Sequence, residues 1–245
     1  MSAMLATAGA CSQLITLLSS RKGALMTRHS LRQATMAALA AVIALTSAAP
    51  SVAAAQDITY APGMGTNEAE PEGTPFALPD GLTVEAPIRG YNTADPEACD
   101  YKYQDQAVGK GEQVRLCMVF NNNTNLPVPL ELPPGLIFVS RSRKVQNGII
   151  AQRISIMVPP QERYFQPIFT YCTNSGRDSA SLGSEFDIGN VTDIPAFHAL
   201  FKMLEGKLID DSNFVVVNRA VKAISNGEEL DADLLAEIEA LPSLL

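Results

Sequence analysis

From Leu82 to Cys172 apolar side chains recur at every second position, and after Asp193 they recur at every third and fourth. Period two is the repeat of a pleated strand, and a 3.6 repeat is that of a helix. The clearest strand is Glu112 to Asn121, where Val114, Leu116, Met118 and Phe120 share one face. Asn121 to Asn125 then predicts a turn, because asparagine tolerates left-handed backbone and bonds to its own main chain. Val128 to Leu132 follows as a short strand, kept to a sheet edge by Pro127 and Pro129. Pro133-Pro134-Gly135 turns the chain into a strand over Leu136 to Ser140. Asn147-Gly148 predicts a further turn, after which Ile150, Ile154, Ile156 and Val158 mark a strand closed by Pro159-Pro160. Arg163 to Cys172, with Tyr164, Phe165, Phe169 and Tyr171, is the last predicted strand.

Helical spacing takes over after Asp193. Phe197, Leu200, Phe201 and Leu204 form one stripe, with Asp193 placed to cap the helix, Pro195 in its first turn and Gly206 to end it. A second helix is predicted over Ser212 to Ser225, with Phe214, Val217, Val221 and Ile224 on one side. A third starts after Asp231, carries Leu234, Leu235, Ile238 and Leu241, and stops before Pro242. Each amphipathic helix needs a partner surface. Upstream, Gln56 to Gly81 alternates proline with glycine and adds Glu68, Glu70 and Glu72, a composition that predicts a disordered linker.

Short strands separated by turn signals every eight to twelve residues or so argue for a sandwich or a barrel. Three stretches narrow the choice: Leu132 to Phe138 (LPPGLIF), Gln146 to Ile149 (QNGI) and Tyr171 to Arg177 (YCTNSGR). Together they resemble exported bacterial proteins built on an immunoglobulin-like sandwich, in which an Asn/Thr turn follows one strand and a cysteine ends a later one. The likeness covers roughly 113–224 and brings no activity with it. The expected fold is therefore an antiparallel immunoglobulin-like β-sandwich over 82–180, followed by about three short amphipathic helices over 190–245.

The N-terminus changes the picture from fold to destination. Arg28 and Arg32 precede the apolar run Met36 to Leu45, and small residues lead to Ala53-Ala54-Ala55 before Gln56. That is the pattern of a cleavable signal peptide over 26–55, cut between Ala55 and Gln56. The run is too short for a spanning helix, which takes roughly 20 apolar residues. No cysteine stands at the cleavage site to take a lipid. Residues 1–25 are expected to be a mis-assigned upstream stretch, with translation starting at Met26, or else an extended leader. The mature chain is expected in the periplasm or outside the cell, with no transmembrane anchor.

Charge then narrows the partners. Residues 1–55 hold four of the 18 Lys+Arg and no acid, so 14 remain against 26 Asp+Glu, a formal −12. Such a balance opposes nucleic acid and anionic membrane, which reward clustered Lys and Arg. An envelope protein or polysaccharide is the expected kind of partner. Cys99, Cys117 and Cys172 survive processing, enough for one disulfide and one thiol. All three pairings are open. Two strands of a sandwich would suit Cys117–Cys172, while Cys99, in a polar loop, can reach either partner.

Candidate chemistry is sparse. His198 is the one mature histidine and shares a helix face with Lys202 and Glu205, away from the apolar stripe. No G-x-S-x-G elbow occurs. Asp210-Asp211-Ser212-Asn213 and Asp231-x-Asp233 offer oxygen ligands without calcium-loop spacing and read as helix caps. No Cys/His set of zinc type is present, and neither a metal nor a cofactor is expected. Arg141, Arg143 and Lys144 form a basic loop in an acidic chain. The most promising polar run is Thr173 to Ser179, where Asn174, Arg177 and Asp178 are candidate binding residues: Arg177 beside Asp178 suits a carboxylate or another polar ligand group, and the alternative is that Gly176 makes a turn and Arg177 pairs with a nearby acid to pin strands to helices. The expected function is a non-enzymatic binding or structural module of the cell envelope. The alternative is an exported hydrolase that brings carboxylates together from distant parts of the chain.

Overall fold

A computed structural model describes residues 59–91, 99 and 107–244. The leader over 26–55, the Ala55–Gln56 cleavage site and the stretch 1–25 lie outside them. Eleven strands and three helices follow in order: β1 (Thr74–Pro75), β2 (Leu82–Val84), β3 (Ile88–Gly90), β4 (Val108–Gly109), β5 (Val114–Asn122), β6 (Val128–Leu132), β7 (Leu136–Ser140), β8 (Gly148–Ile149), β9 (Ile154–Val158), β10 (Arg163–Cys172), β11 (Glu185–Val191), α1 (Pro195–Leu204), α2 (Phe214–Ser225) and α3 (Ala232–Glu239).

The strands close on themselves. β5 pairs β3, β3 pairs β11, β11 pairs β7, β7 pairs β8, β8 pairs β10, and β10 returns to β5, every step antiparallel. The result is a closed six-stranded barrel with β1, β2 and β4 added at its margins. This corrects the expected immunoglobulin-like sandwich. Alternation in a strand records that one face is buried, and it is the same whether that face meets a second sheet or the inside of a ring. The closing seam, eight registered pairs from Arg163↔Asn121 to Thr170↔Val114, is the longest in the molecule.

So narrow a ring leaves only enough room inside for side chains. Val114, Leu116, Met118 and Phe120 of β5, Leu136 and Phe138 of β7, Ile168 of β10 and Phe186 of β11 are all fully buried there. A separate ribbon of β6 and β9 adds Leu130, Leu132, Ile154, Ile156 and Val158 to the same core. Its outer face shows Glu131, Ser155 and Met157 to solvent.

The three helices cover part of the barrel's outer wall. Ile137, Ile149 and Tyr171 lie side by side across β7, β8 and β10, on the face opposite Phe138 and Cys172. All three join a second core with Phe197, Leu200, Phe201 and Leu204 of α1, Val217 and Val221 of α2, and Leu234 and Ile238 of α3. The wall is thus buried on both faces. Asp231 caps α3, its Oδ1 accepting from Leu234 N at 2.7 Å. Asp193, the expected cap of α1, instead accepts from Thr74 Oγ1 at 3.2 Å, and Ile194 stands at the N-cap with Pro195 next.

Three further expectations are corrected. The strand region does not end at Cys172: Glu185–Val191 is a barrel strand, bulged between Ile188 and Val191, where a side chain on Gly189 would press on Val139. Asn147-Gly148 is not a turn, since Gly148 begins β8 and Asn147 is 3 % exposed. The linker expected to be disordered is, from Thr59 on, laid against the domain: Met64 is 1 % exposed, Gly65 N donates to Thr173 O at 2.9 Å, and β1 pairs β11. Composition undervalued it because what holds it is the burial of Met64 together with hydrogen bonds to the carbonyls of Gly63 and Gly65.

The disulfide joins Cys99 to Cys117, and Cys172 is a buried free thiol. The favoured Cys117–Cys172 bridge fails on strand parity. Cys117 alternates with the core-facing residues of β5 and so points out of the barrel, into a small cluster with Tyr91, Cys99 and Phe169. Cys172 points the other way, into the main core. No bridge can pass through a barrel wall.

Candidate functional site

Beyond Cys172 the chain leaves the barrel through Thr173 and Asn174, both fully buried. Their hydrogen bonds define a knot. Asn174 Nδ2 donates to Gly63 O at 2.9 Å and to Gly65 O at 3.1 Å, and its Oδ1 accepts from Asn147 N at 2.8 Å. Asn147 Nδ2 also donates to Gly63 O at 3.1 Å, and its Oδ1 accepts from Ser140 N at 2.9 Å. Two buried amides therefore tie the lead-in segment, β7, β8 and the end of β10 together, each polar atom satisfied as burial demands.

Next to the knot, Gly176 at φ +84° reverses the chain and sends Arg177 back toward the barrel end. The helix α2 lies opposite. Its Asn218, Lys222 and Ser225 fall at i, i+4 and i+7, a polar stripe beside the apolar one. Between loop and helix is a cavity of about 190 Å³, with Gln113, Gln146, Cys172, Arg177, Asn218 and Lys222 among its lining. Its lining groups are amides, hydroxyls, a thiol and two cations, with no carboxylate.

Burial pushes the Cys172 thiol above its ordinary value, and a main-chain hydrogen bond and then Lys222 only partly offset this. The thiol is therefore protonated at neutral pH and a poor nucleophile. Its Sγ stands 3.9 Å from Asn218 Oδ1. Burial also lowers Arg177, with Glu68 opposing and Arg143 adding to the effect. Arg177 Nη2 donates to Asn67 O at 3.2 Å, and Gln146 Nε2 donates to Gln113 Oε1 at 3.2 Å and to Arg177 O at 3.1 Å. The pocket presents hydrogen-bond donors and positive charge, which suits recognition of a polar, electron-rich group.

No protein-family model, curated protein or solved structure matches this chain. What the site can do must be read from its own residues.

Of the three candidate binding residues, Asn174 and Arg177 line the pocket and Asp178 does not. Asn174 serves as scaffold, since its amide is fully engaged by main chain. Asp178 pairs through its backbone, donating to Lys144 O at 2.7 Å and accepting from Gln146 N at 3.0 Å, while its side chain faces solvent. Gln113, Gln146, Asn218 and Lys222 were not legible as site residues. The 218–222–225 spacing was the available signal, but it looks the same as an exposed helix face until the barrel is placed beneath it.

Other candidates resolve into structure. His198 is exposed on α1, edge-on to Phe201 at 6.4 Å. Asp210 Oδ1 accepts from Ser212 N at 2.8 Å and from Ser212 Oγ at 2.6 Å, a local turn before α2. The basic loop is committed: Arg141 forks Asp187 with two bonds of 2.7 Å, and Arg143 meets Glu68 at 2.8 Å.

Proposed function

We propose that this chain is an exported, non-enzymatic binding module of the cell envelope, and that it takes a polar group of its ligand into the pocket between the end of β10 and α2. The observation that carries the reading is the lining of that pocket: donors and cations gathered on an otherwise acidic chain, around a thiol that burial keeps protonated. The barrel interior is filled by phenylalanine and leucine side chains, so a ligand has to be met from outside. Export is supported by the Arg28 to Ala55 leader pattern and by a disulfide, which persists in oxidising compartments. Among the described residues no helix is long and apolar enough to cross a membrane.

A hydrolase built on two carboxylates would need both in one cleft. The lining of this pocket supplies none. Carboxylate chemistry is not what this site offers.

The test is site-directed photocrosslinking of the mature protein in its own envelope. A photoreactive residue at exposed Ser179, beside the pocket, is expected to give one discrete adduct. The same residue at exposed Met157, on the β6–β9 ribbon, is expected to give none. Equal adducts from both positions, or none from Ser179 together with turnover of a substrate, would overturn the reading.

A further inference from the structure

We infer that the group bound in this pocket is a carboxylate, engaged by the Arg177 guanidinium with Lys222 supplying a second positive charge. The inference rests on the pocket being the binding site and adds the chemistry of what enters it.

The first argument is one of charge. The sequence downstream of Ala55 carries 26 acids against 14 bases, yet this lining holds two bases and no acid. A cleft lined by one sign of charge focuses its field and draws in the opposite sign.

The second is unused donor capacity. A guanidinium has five N–H donors in a planar fork. The Arg177 guanidinium makes one hydrogen bond among the described residues, to Asn67 O, while it is partly withdrawn from water. The acid whose field reaches it, Glu68, is held by Arg143 at 2.8 Å. Lys222 makes no ion pair among the described residues. Asn218 uses its oxygen on the Cys172 thiol, and its Nδ2 makes no hydrogen bond among them. A cation partly withdrawn from water and held in no ion pair attracts an entering anion more strongly than it would in bulk solvent.

The third is size and shape. A volume of about 190 Å³ admits a small acid or the end of a chain, not a broad surface. The planar fork and a flanking amide match two coplanar oxygens. An arginine fork also accepts phosphate or sulfate, so sulfate serves as the competing anion in the test.

Carboxylate can come from a free acid or from a chain terminus, and the two are separable. The ¹⁵N-labelled mature protein is titrated at fixed ionic strength with succinate, with a short peptide bearing a free C-terminus, with the same peptide amidated, and with sulfate. The Asn218 and Gln146 side-chain amide signals are followed. The expected result is saturable shifts with succinate or with the free-acid peptide, and none with the amide. Whichever binds tighter identifies the source. Arg177→Gln should weaken binding at least about tenfold, the scale of a lost charge-assisted fork. Lys222→Gln, at an exposed helix position, should weaken it several-fold with the unfolding curve unchanged. Absence of shifts, sulfate binding as tightly, or undiminished affinity in either variant overturns the inference. If carboxylates fail while the Ser179 adduct persists, only the ligand chemistry is wrong. If both fail, the binding reading fails with it.

Discussion

Asn147 and Asn174 show how much structure two side chains can hold. Each amide bridges elements distant in sequence, and every acceptor they meet is buried. Removing one leaves main-chain carbonyls without a partner at about 1–3 kcal/mol per group. Asn174→Ala is expected to lower unfolding stability by about 2–3 kcal/mol, with the double variant Asn147→Ala/Asn174→Ala costing less than the sum because the two share Gly63 O. Urea unfolding followed by circular dichroism checks this, as the chain has no tryptophan. Asn174 was legible as a notable residue but not as a scaffold, since its acceptors, Gly63 and Gly65, lie more than a hundred residues away. The cysteines are a second case. Val114, Leu116, Met118 and Phe120 already place Cys117 on the opposite face of β5, so its partner had to lie outside the barrel. Non-reducing peptide mapping should recover a Cys99–Cys117 linked pair and an alkylatable Cys172 after denaturation; a linked Cys117–Cys172 peptide would contradict the assignment.

At the scale of elements, long and regular patterns were readable and short ones were not. The bounds of α2 and α3 and the strands β5, β6, β7 and β10 follow from periodicity. β8 has two residues and β3 three, too few for any pattern, yet each completes the ring. β11 hid because Asp187, Gly189 and Asn190 carry the composition of a loop. Gly148 was misread for a related reason: glycine marks a turn in many sequences, and here it marks close approach. A Cβ at this position would run into Thr170 Oγ1, itself donating to Val114 O at 2.9 Å, and would stand 2.8 Å from Val114 Cγ1. Gly148→Ala is therefore expected to destabilise by about 1–3 kcal/mol through overpacking at the β8–β10 junction, read from the same unfolding curves. An unchanged midpoint would mean that the junction is looser than described.

For the whole molecule, closure is the feature that sequence could not supply, because the same alternation serves a sandwich and a barrel. Ion pairs brace the ring from outside. Arg163 forks Glu85 at 2.5 and 2.7 Å, and Arg141 forks Asp187 between β7 and β11. The Arg163 bonds hold Glu85 below the ordinary carboxylate range, and the Arg141 bonds do the same for Asp187. A carboxyl whose folded value lies below its unfolded one stabilises the fold above the unfolded value and loses that contribution as pH falls through the folded one. Melting temperature should thus decline as pH drops below about 4, and modestly, since exposed pairs are weak and screened by salt. A rise over that interval would contradict the pairing. Cross-strand Hα–Hα and amide contacts by NMR test the ring directly. An unbroken circuit is expected, including Ile88–Phe186, Phe138–Gly148, Cys172–Gly148 and Ile168–Leu116. A circuit interrupted between β10 and β5 would leave an open sheet, and a further break between β3 and β11 would leave two; either contradicts closure.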